Sequence, residues 1–300
     1  MSQAPSAIPL PAVAPAASRA PARQSYEALR VFVRNPSAVF GVLLLAAILA
    51  VTIFGPMLMQ ADPFEIASAP MEPPGGEMLL GTDYLGRDVL TGMVYGGRAT
   101  LLVGVVAAVL SMAIGLTVGA LAGYYGGWVD ETLMRITEFF QVLPTLLFAM
   151  VLVTLFTPSL ATIAVAIGVV SWTGTARLAR GEFLRLKRRE YVLAERVIGA
   201  GDARIIWRVI LPNALAPLIV SATLAIGTAI LFEAGLSFLG LGDPNIMSWG
   251  LMIGSNRPYI LTAWWAVTLP GAAIFLTVLA VSLIGDGLND ALNPTSRGRS

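Results

Sequence analysis

Long stretches without a charged residue are the feature that most limits how this chain can fold. One such stretch, of 38 residues, lies between Glu138 and Arg177 and is interrupted by a Thr-Pro-Ser turn at 157–159, and the others cover residues 38–59, 100–124, 209–232 and 258–285. About 20 helical residues cross a bilayer core about 30 Å thick. We therefore predict an all-α, polytopic membrane protein with six transmembrane helices, at about 38–59, 100–123, 134–156, 160–178, 213–234 and 265–286.

The composition agrees with a membrane protein and excludes several kinds of site. Only 12% of the residues are charged and 56% are hydrophobic, whereas soluble domains carry roughly 25% charged residues. The chain has no cysteine and no histidine, which removes thiolate ligands, cysteine nucleophiles and the commonest general base. We expect no catalytic residue and no metal site. A net charge of +1 gives no support to a nucleic-acid partner.

The distribution of basic residues predicts the orientation in the membrane. With six spans, 16 of the 19 arginines and lysines fall on one side, and only Arg87, Arg98 and Arg257 fall on the other. Cytoplasmic loops carry the excess of positive charge, so we predict that both termini are cytoplasmic. The predicted organisation is a disordered cytoplasmic leader (1–35), a first helix with an external loop (36–97), and a core of five helices (98–296) with a cytoplasmic loop at about 178–212.

This basic loop is the most informative segment. Apolar residues recur in it at roughly helical spacing, and Gly199 and Gly201 then end the predicted helix. One interpretation is an interfacial helix that its arginines hold on anionic lipid. The other is a helix that docks into a groove on a cytoplasmic partner. The composition leaves both open.

The spacing within the loop resembles the cytoplasmic EAA loop of ATP-binding-cassette importer permeases. In that family a Glu-Ala-Ala triplet precedes a glycine, and Ile-x-Leu-Pro follows after nine residues; here Gly199 and nine residues precede Val-Ile-Leu-Pro at 209–212. The triplet falls on residues 193–195, and only Ala194 is kept. The resemblance implies that the loop couples the permease to an ATPase, with coupling residues Arg189, Glu190, Tyr191, Ala194, Glu195, Gly199 and Asp202.

Other motifs resemble the C-type permeases of dipeptide, oligopeptide and nickel importers. They are LGTDYLGRDV at 80–89, YGGR at 95–98, LSFLGLG at 236–242, SWG at 248–250 and GDGLNDAL at 285–292. The resemblance covers about residues 25–296. It implies the type I importer permease fold in the bacterial cytoplasmic (inner) membrane, in contact with lipid. The implied partners are a second, homologous permease, two cytoplasmic ATP-binding subunits and an extracytoplasmic solute-binding protein.

No ATP site of the P-loop type is possible in this chain. The P-loop motif needs a lysine after a glycine, and the single lysine, Lys187, lies between Leu186 and Arg188. We therefore expect a non-catalytic subunit without a cofactor of its own, with ATP and Mg²⁺ bound by the partner ATPases.

The glycine repeat and the acidic residues near span ends have alternative interpretations. Gly115, Gly119, Gly123 and Gly127 recur every four residues, a spacing that lets helices approach closely in lipid, and we favour packing over a direct role in transport. Glu233 near a span end is either a pathway-lining residue or a structural one. For Asp286 and Asp290 we favour a structural or subunit-contact role.

Two rival functions differ in what they require. A stand-alone secondary transporter or channel is expected to carry charged or histidine relays in mid-span, and often inverted repeats. A membrane scaffold with a lipid-binding basic loop leaves the external and Gly-Asp-Gly motifs without a purpose. The solute stays open among dipeptides, oligopeptides, nickel chelates and glutathione.

Overall fold

The computed structural model describes residues 29–292. Most of the predicted disordered leader lies outside these residues, and its last part, 29–34, is helical. The described chain contains nine helices of eight or more residues and no β-strand: α1 (Pro36–Met59), α2 (Val89–Tyr125), α3 (Gly127–Val142), α4 (Thr145–Leu155), α5 (Leu160–Leu186), α6 (Glu190–Val197), α7 (Leu211–Leu236), α8 (Trp249–Asn256) and α9 (Trp265–Leu292). The all-α prediction is confirmed.

Five continuous helical segments are long and apolar enough to cross a membrane: α1, α2, α5, α9 and the run Asp202–Leu241 that contains α7. The α3–α4 pair supplies a sixth span if it is counted as one. This pair is bent by 87°, whereas the sequence predicts a single helix over about 134–156. Pro144 lies at the break and has no N–H to continue the hydrogen-bonding ladder.

Helix α2 begins at Val89, eleven residues before the predicted start of the span at about 100. The helix is longer than predicted because the charged residue Arg98 is part of it. Arg98 lies within the helix and donates to the carbonyl oxygens of Thr52 (2.8 Å) and Ile53 (2.5 Å) on α1. Asp88 caps the helix, and its carboxylate accepts from the N–H groups of Leu90 and Thr91. A side chain that accepts these free N–H groups defines the start of a helix.

The glycine repeat lies where α2 packs against α5, in agreement with the packing role that the sequence favours. A Cβ on Gly115 would lie 2.7 Å from the carbonyl oxygen of Trp172, and one on Gly123 would lie 2.7 Å from that of Arg180. A Cβ on Gly119 would overlap the backbone of Ala176. Only glycine permits this backbone contact between α2 and α5. The fourth residue of the repeat, Gly127, instead begins α3 with a φ of +54°.

Helix α8 and the loop between α1 and α2 cover one end of the bundle. The Trp249 indole donates to the carbonyl of Met93 on α2 (2.8 Å), and the amide of Asn256 accepts from the N–H of Tyr84 (3.1 Å). The indole of Trp265 donates to the carbonyl of Thr82 (3.0 Å). A folded cap therefore closes this end, and the opposite end carries the basic loop with α6.

Candidate coupling surface and buried carboxyl site

A glycine in the left-handed conformation ends α6. Gly199 has a φ of +83°, and its N–H donates to the carbonyl of Arg196 (3.1 Å) while that of Ala200 donates to the carbonyl of Glu195 (3.0 Å). This pair of bonds is a Schellman motif, which needs a positive φ at its central position. The stop predicted at Gly199 is present, and it sets the direction in which the chain leaves α6.

The inner side of the basic loop is attached to the bundle by an apolar cluster. Val192 is the buried residue of α6, and it belongs to a cluster with Phe183 on α5 and Tyr124 on α2. From the second half of the loop, Ile205, Ile206 and Ile210 join the same cluster. The loop is therefore a packed body on the ends of two spans.

Tyr124 connects three parts of this body. Its hydroxyl donates to Asp202 Oδ1 (2.5 Å) and lies 3.4 Å from Arg196 Nη2, and the Arg196 guanidinium lies 5.7 Å from the ring centroid. The Lys187 ammonium donates to the Tyr124 carbonyl (3.1 Å), which is one of the last carbonyls of α2. A cation is stabilised at a helix C-terminus. Burial, assisted by the charge of Arg188, lowers the pKa of the Lys187 ammonium.

A bidentate ion pair connects the neighbouring helices. Arg180 on α5 donates from Nε to Asp130 Oδ1 (2.5 Å) and from Nη2 to Asp130 Oδ2 (2.7 Å). Asp130 lies in the first turn of α3, where a negative charge also interacts favourably with the helix dipole. Parallel two-bond pairs of this kind are specific in geometry. The pair therefore links α3 to the spans that carry the loop.

The outer side of α6 is apolar and exposed. Val197 is 86% exposed and Ile198 is 75% exposed. Tyr191, Leu193 and, from the second half of the loop, Trp207 are exposed as well. We call Tyr191, Leu193, Val197 and Ile198 the tip of α6. A group of large apolar side chains on a charged loop is a feature of interaction sites.

The predicted coupling residues divide between the outside of α6 and the contacts beneath it. Arg189, Glu190, Tyr191, Ala194 and Gly199 are exposed. Glu195 is half-buried and lies 3.8 Å from Arg204, and the Asp202 carboxylate accepts from Tyr124. Sequence reasoning missed Tyr124, Lys187, Arg196 and Arg180, because their partners lie 50 or more residues away in the chain. It also missed Val197, although an apolar pair directly before the helix-ending glycine is visible in the sequence.

Glu233 lies near the capped end of the bundle and is fully buried, with 0% exposure. Its carboxyl accepts from three hydroxyls: Thr100 on α2 (3.2 Å), Ser237 at the end of α7 (2.9 Å) and Ser248 at the start of α8 (2.8 Å). In this conformation Glu233 contacts no open surface of the chain. Its position therefore favours the structural interpretation over the pathway-lining one.

The other acidic residues near span ends are exposed. Glu138 and Asp286 are exposed, and Asp290 accepts from the Asn35 amide (3.2 Å), which joins the end of α9 to the start of α1. Within residues 29–292 no three histidine, cysteine, aspartate or glutamate side chains are grouped so that they could hold a metal ion.

The sequence matches two family descriptions. Residues 115–298 match "Binding-protein-dependent transport system inner membrane component", and residues 24–74 match "N-terminal TM domain of oligopeptide transport permease C".

Named relatives align along most of their length. The chain is 41% identical to the di/tripeptide transport system permease protein of Pseudomonas aeruginosa, over 88% of this chain and 89% of that protein. It is also 41% identical to the dipeptide transport system permease protein of Bacillus subtilis, over 90% of this chain and 86% of that protein.

Among solved structures, inward-facing forms of the MetNI methionine ABC transporter share the fold. They superpose with TM-scores of 0.54 and 0.55 at 21% and 22% identity, over 67% of this chain and 96% and 95% of those chains.

Proposed function

This chain belongs to the family of inner-membrane components of binding-protein-dependent transport systems, which are multi-span permeases of the bacterial inner membrane, and we propose that it forms half of a translocation pathway for short peptides. The relatives named as di/tripeptide and dipeptide permeases support this choice of solute. In this proposal the chain performs no chemistry itself, and ATP and Mg²⁺ are bound by partner subunits.

The observation that carries the proposal is the tip of α6. Exposed apolar side chains on a rigid, basic projection are costly in water and are stabilised by burial in a partner, at roughly 25 cal/mol per Å² of apolar surface. The helix-in-groove mode of recognition uses such an amphipathic helix. We assign the tip to a groove on a cytoplasmic ATPase.

The contacts beneath the tip would transmit movement to the spans. A displacement of α6 pulls on α2 through Tyr124. This residue is hydrogen-bonded to Lys187, which precedes α6 in the chain, and to Asp202, which follows it. It acts on α5 through the apolar cluster around Phe183, and α5 is joined to α3 by Arg180 and Asp130. Packed elements move as units rather than deform continuously. ATP-driven closure of the partner would therefore tilt α2, α3 and α5 together.

The complete assembly that we propose has four kinds of subunit. A second, homologous permease forms the other half of the pathway, two ATP-binding subunits contact the loops, and an extracytoplasmic binding protein delivers the solute. The folded cap formed by α8 and residues 60–88 lies at the opposite end from α6 and would face the binding protein. Both termini are then cytoplasmic, as the basic residues suggest.

A stand-alone carrier is the rival, and its expected features differ. Ion-driven carriers use charged residues in mid-span as relays. Here the buried charged group of the described spans, Glu233, has fixed partners near the capped end, and the exposed Arg98 on α2 is held by carbonyl oxygens of α1. A carrier without an ATPase also leaves the apolar tip of α6 uncovered.

The test is co-purification of the ATPases from native membranes with tagged variants. Val197→Asp and Ile198→Asp should lower ATPase recovery at least tenfold, because a charge at the centre of an apolar contact costs more than about 1.4 kcal/mol. Both residues are exposed, so the isolated chain should fold normally.

Leu261→Asp is the matched control, since Leu261 is 98% exposed and lies between α8 and α9, at the end remote from α6. It should retain the ATPases. Equal recovery with all three variants, or no ATPase with the parent chain, would contradict the proposed coupling surface.

A further inference from the structure

A groove lined by hydroxyl groups lies near mid-length of α2, α5 and α7. Its volume is about 190 Å³, which is room for several water molecules. Its walls are mostly small residues such as Ala107, Gly174 and Ala225, and Gly174 on its rim is exposed. The three helices contribute five hydroxyl side chains, Ser111, Ser171, Thr175, Ser221 and Thr228, and none of the lining residues is charged.

Two of these hydroxyls have no hydrogen-bond partner among the described residues. The Oγ atoms of Ser111 and Ser171 are buried and unpaired, and Ser111 as a whole is 2% exposed. By contrast, Thr228 in the same groove and Thr117 in another part of the spans donate to a carbonyl one turn earlier, at 3.0 Å and 2.7 Å. A buried hydroxyl without a partner costs about 1–3 kcal/mol. Both serines are therefore available to a polar group that enters the groove.

The hydroxyls of the lining favour a polar occupant over acyl chains. Hydrocarbon cannot pair with a hydroxyl, and polar groups in a span face the bundle interior or a water-filled cavity. Each hydroxyl donates one hydrogen bond and accepts others. The set can therefore pair with both the N–H and the C=O of a peptide group, whatever its side chains are.

We propose that this groove is a binding site for peptide backbone amides, and that it is this chain's wall of the translocation pathway. The proposal rests on the proposed transport of peptides and adds the site that the moving solute contacts. Neutral hydroxyls bind an amide weakly, which suits a pathway because a site that binds too tightly does not release. The absence of charge from the lining also means that the site selects neither acidic nor basic peptides.

Gly174 allows a test that does not disturb the fold. A Cβ at this position meets no heavy atom within 4 Å, and the chain contains no cysteine. In the complete membrane-embedded complex, Gly174→Cys should react with a charged, membrane-impermeant methanethiosulfonate. Val165→Cys, on an exposed apolar part of the same helix, should not react, since the reactive thiolate forms only in water.

A second experiment measures the uptake of a defined mixture of dipeptides into vesicles. Gly174→Leu should reduce uptake at least tenfold while ATPase co-purification is unchanged, because the side chain fills the groove. Gly181→Leu is the matched control and should transport normally. It lies on the same helix, is exposed and also has no neighbour within 4 Å of its Cβ. Leucine favours a helix more than glycine does, so neither variant should weaken α5.

The outcomes separate the two proposals. If the parent complex takes up no dipeptide, the proposed function fails. If it transports, but Gly174→Leu is fully active and Gly174→Cys is unreactive, the function stands and the groove is overturned as a pathway wall. If the cysteine instead forms a cross-link to the second permease in the resting complex and dipeptides do not affect it, the groove belongs to a subunit interface and the proposal is likewise overturned.

Discussion

At the scale of single residues, Glu233 shows how one buried carboxyl can hold several elements together. Its two oxygens accept from hydroxyls on α2, on the segment after α7 and at the start of α8. Thr100 in turn accepts from the N–H of Trp249 (3.2 Å), and Ser248 also accepts from the N–H of Leu251 (3.1 Å), which caps α8. A connected polar network contributes more than its separate bonds.

Removal of this carboxyl should destabilise the capped end of the protein. Glu233→Ala leaves the hydroxyls of Ser237 and Ser248 without their carboxyl partner and opens a cavity, which we expect to cost on the order of 3 kcal/mol. Thermal unfolding of the detergent-extracted complex measures the effect. Glu138→Ala, at an exposed position, should leave the melting temperature nearly unchanged. If the two variants had the same melting temperature, the network would have no structural role.

At the scale of elements, the short helix α6 depends on the geometry of its C-terminal glycine. The Schellman bonds at Gly199 reverse the chain, so that residues 202–210 return to the bundle and Asp202 reaches Tyr124. A left-handed conformation costs a residue with a Cβ roughly 1–2 kcal/mol. The position of the apolar tip is therefore coupled to one backbone angle.

A substitution at this glycine should weaken ATPase binding without unfolding the spans. Gly199→Ala should reduce ATPase affinity by roughly 5- to 30-fold, the equivalent of 1–2 kcal/mol, if the strain is relieved by displacement of α6. Gly201→Ala provides the control, because Gly201 has a φ of −69° and a Cβ there would have no described residue within 4 Å apart from its chain neighbours. Titration of purified ATPase against the reconstituted permease gives both values. Indistinguishable affinities would contradict a role in coupling for the glycine that ends α6.

At the scale of the whole molecule, the two ends of the bundle differ in charge and in construction. The end with α6 carries most of the described basic residues, including Arg180, Arg188 and Arg204. Arg87 and Arg257 lie at the capped end, where each guanidinium lies 5.0 Å from the centroid of a phenylalanine ring. The asymmetry favours a cytoplasmic position for α6.

Orientation can be measured in the same cysteine-free background. In right-side-out vesicles from cells that express the permease without its ATPases, an impermeant thiol reagent should label Ile66→Cys, on the capped end, and should label Val197→Cys only after permeabilisation. Both positions are well exposed, so a difference in labelling reports the side of the membrane rather than burial. The reverse pattern would invert the topology and would remove α6 from the reach of a cytoplasmic ATPase.

The sequence by itself determined the properties that depend on solvent transfer and on local backbone chemistry. Uncharged stretches are long enough to cross a bilayer only as helices, and this predicts the spans. The glycine spacing of α2 favours close helix packing, and Gly199 predicts the end of a helix, and both are local patterns. The coupling role of the loop came from its resemblance to a known family, and it stays a prediction.

Only the tertiary structure decided which polar groups find partners. Arg98 lies inside α2 because carbonyls of α1 accept its guanidinium. Glu233 is buried because three hydroxyls, up to 133 residues away in the chain, meet its carboxyl. Ser111 and Ser171 line a groove between three helices, and no described residue pairs with their hydroxyls. Charge and hydropathy locate a segment relative to the membrane, whereas the pairing of a polar atom depends on contacts between distant helices, which no local pattern encodes.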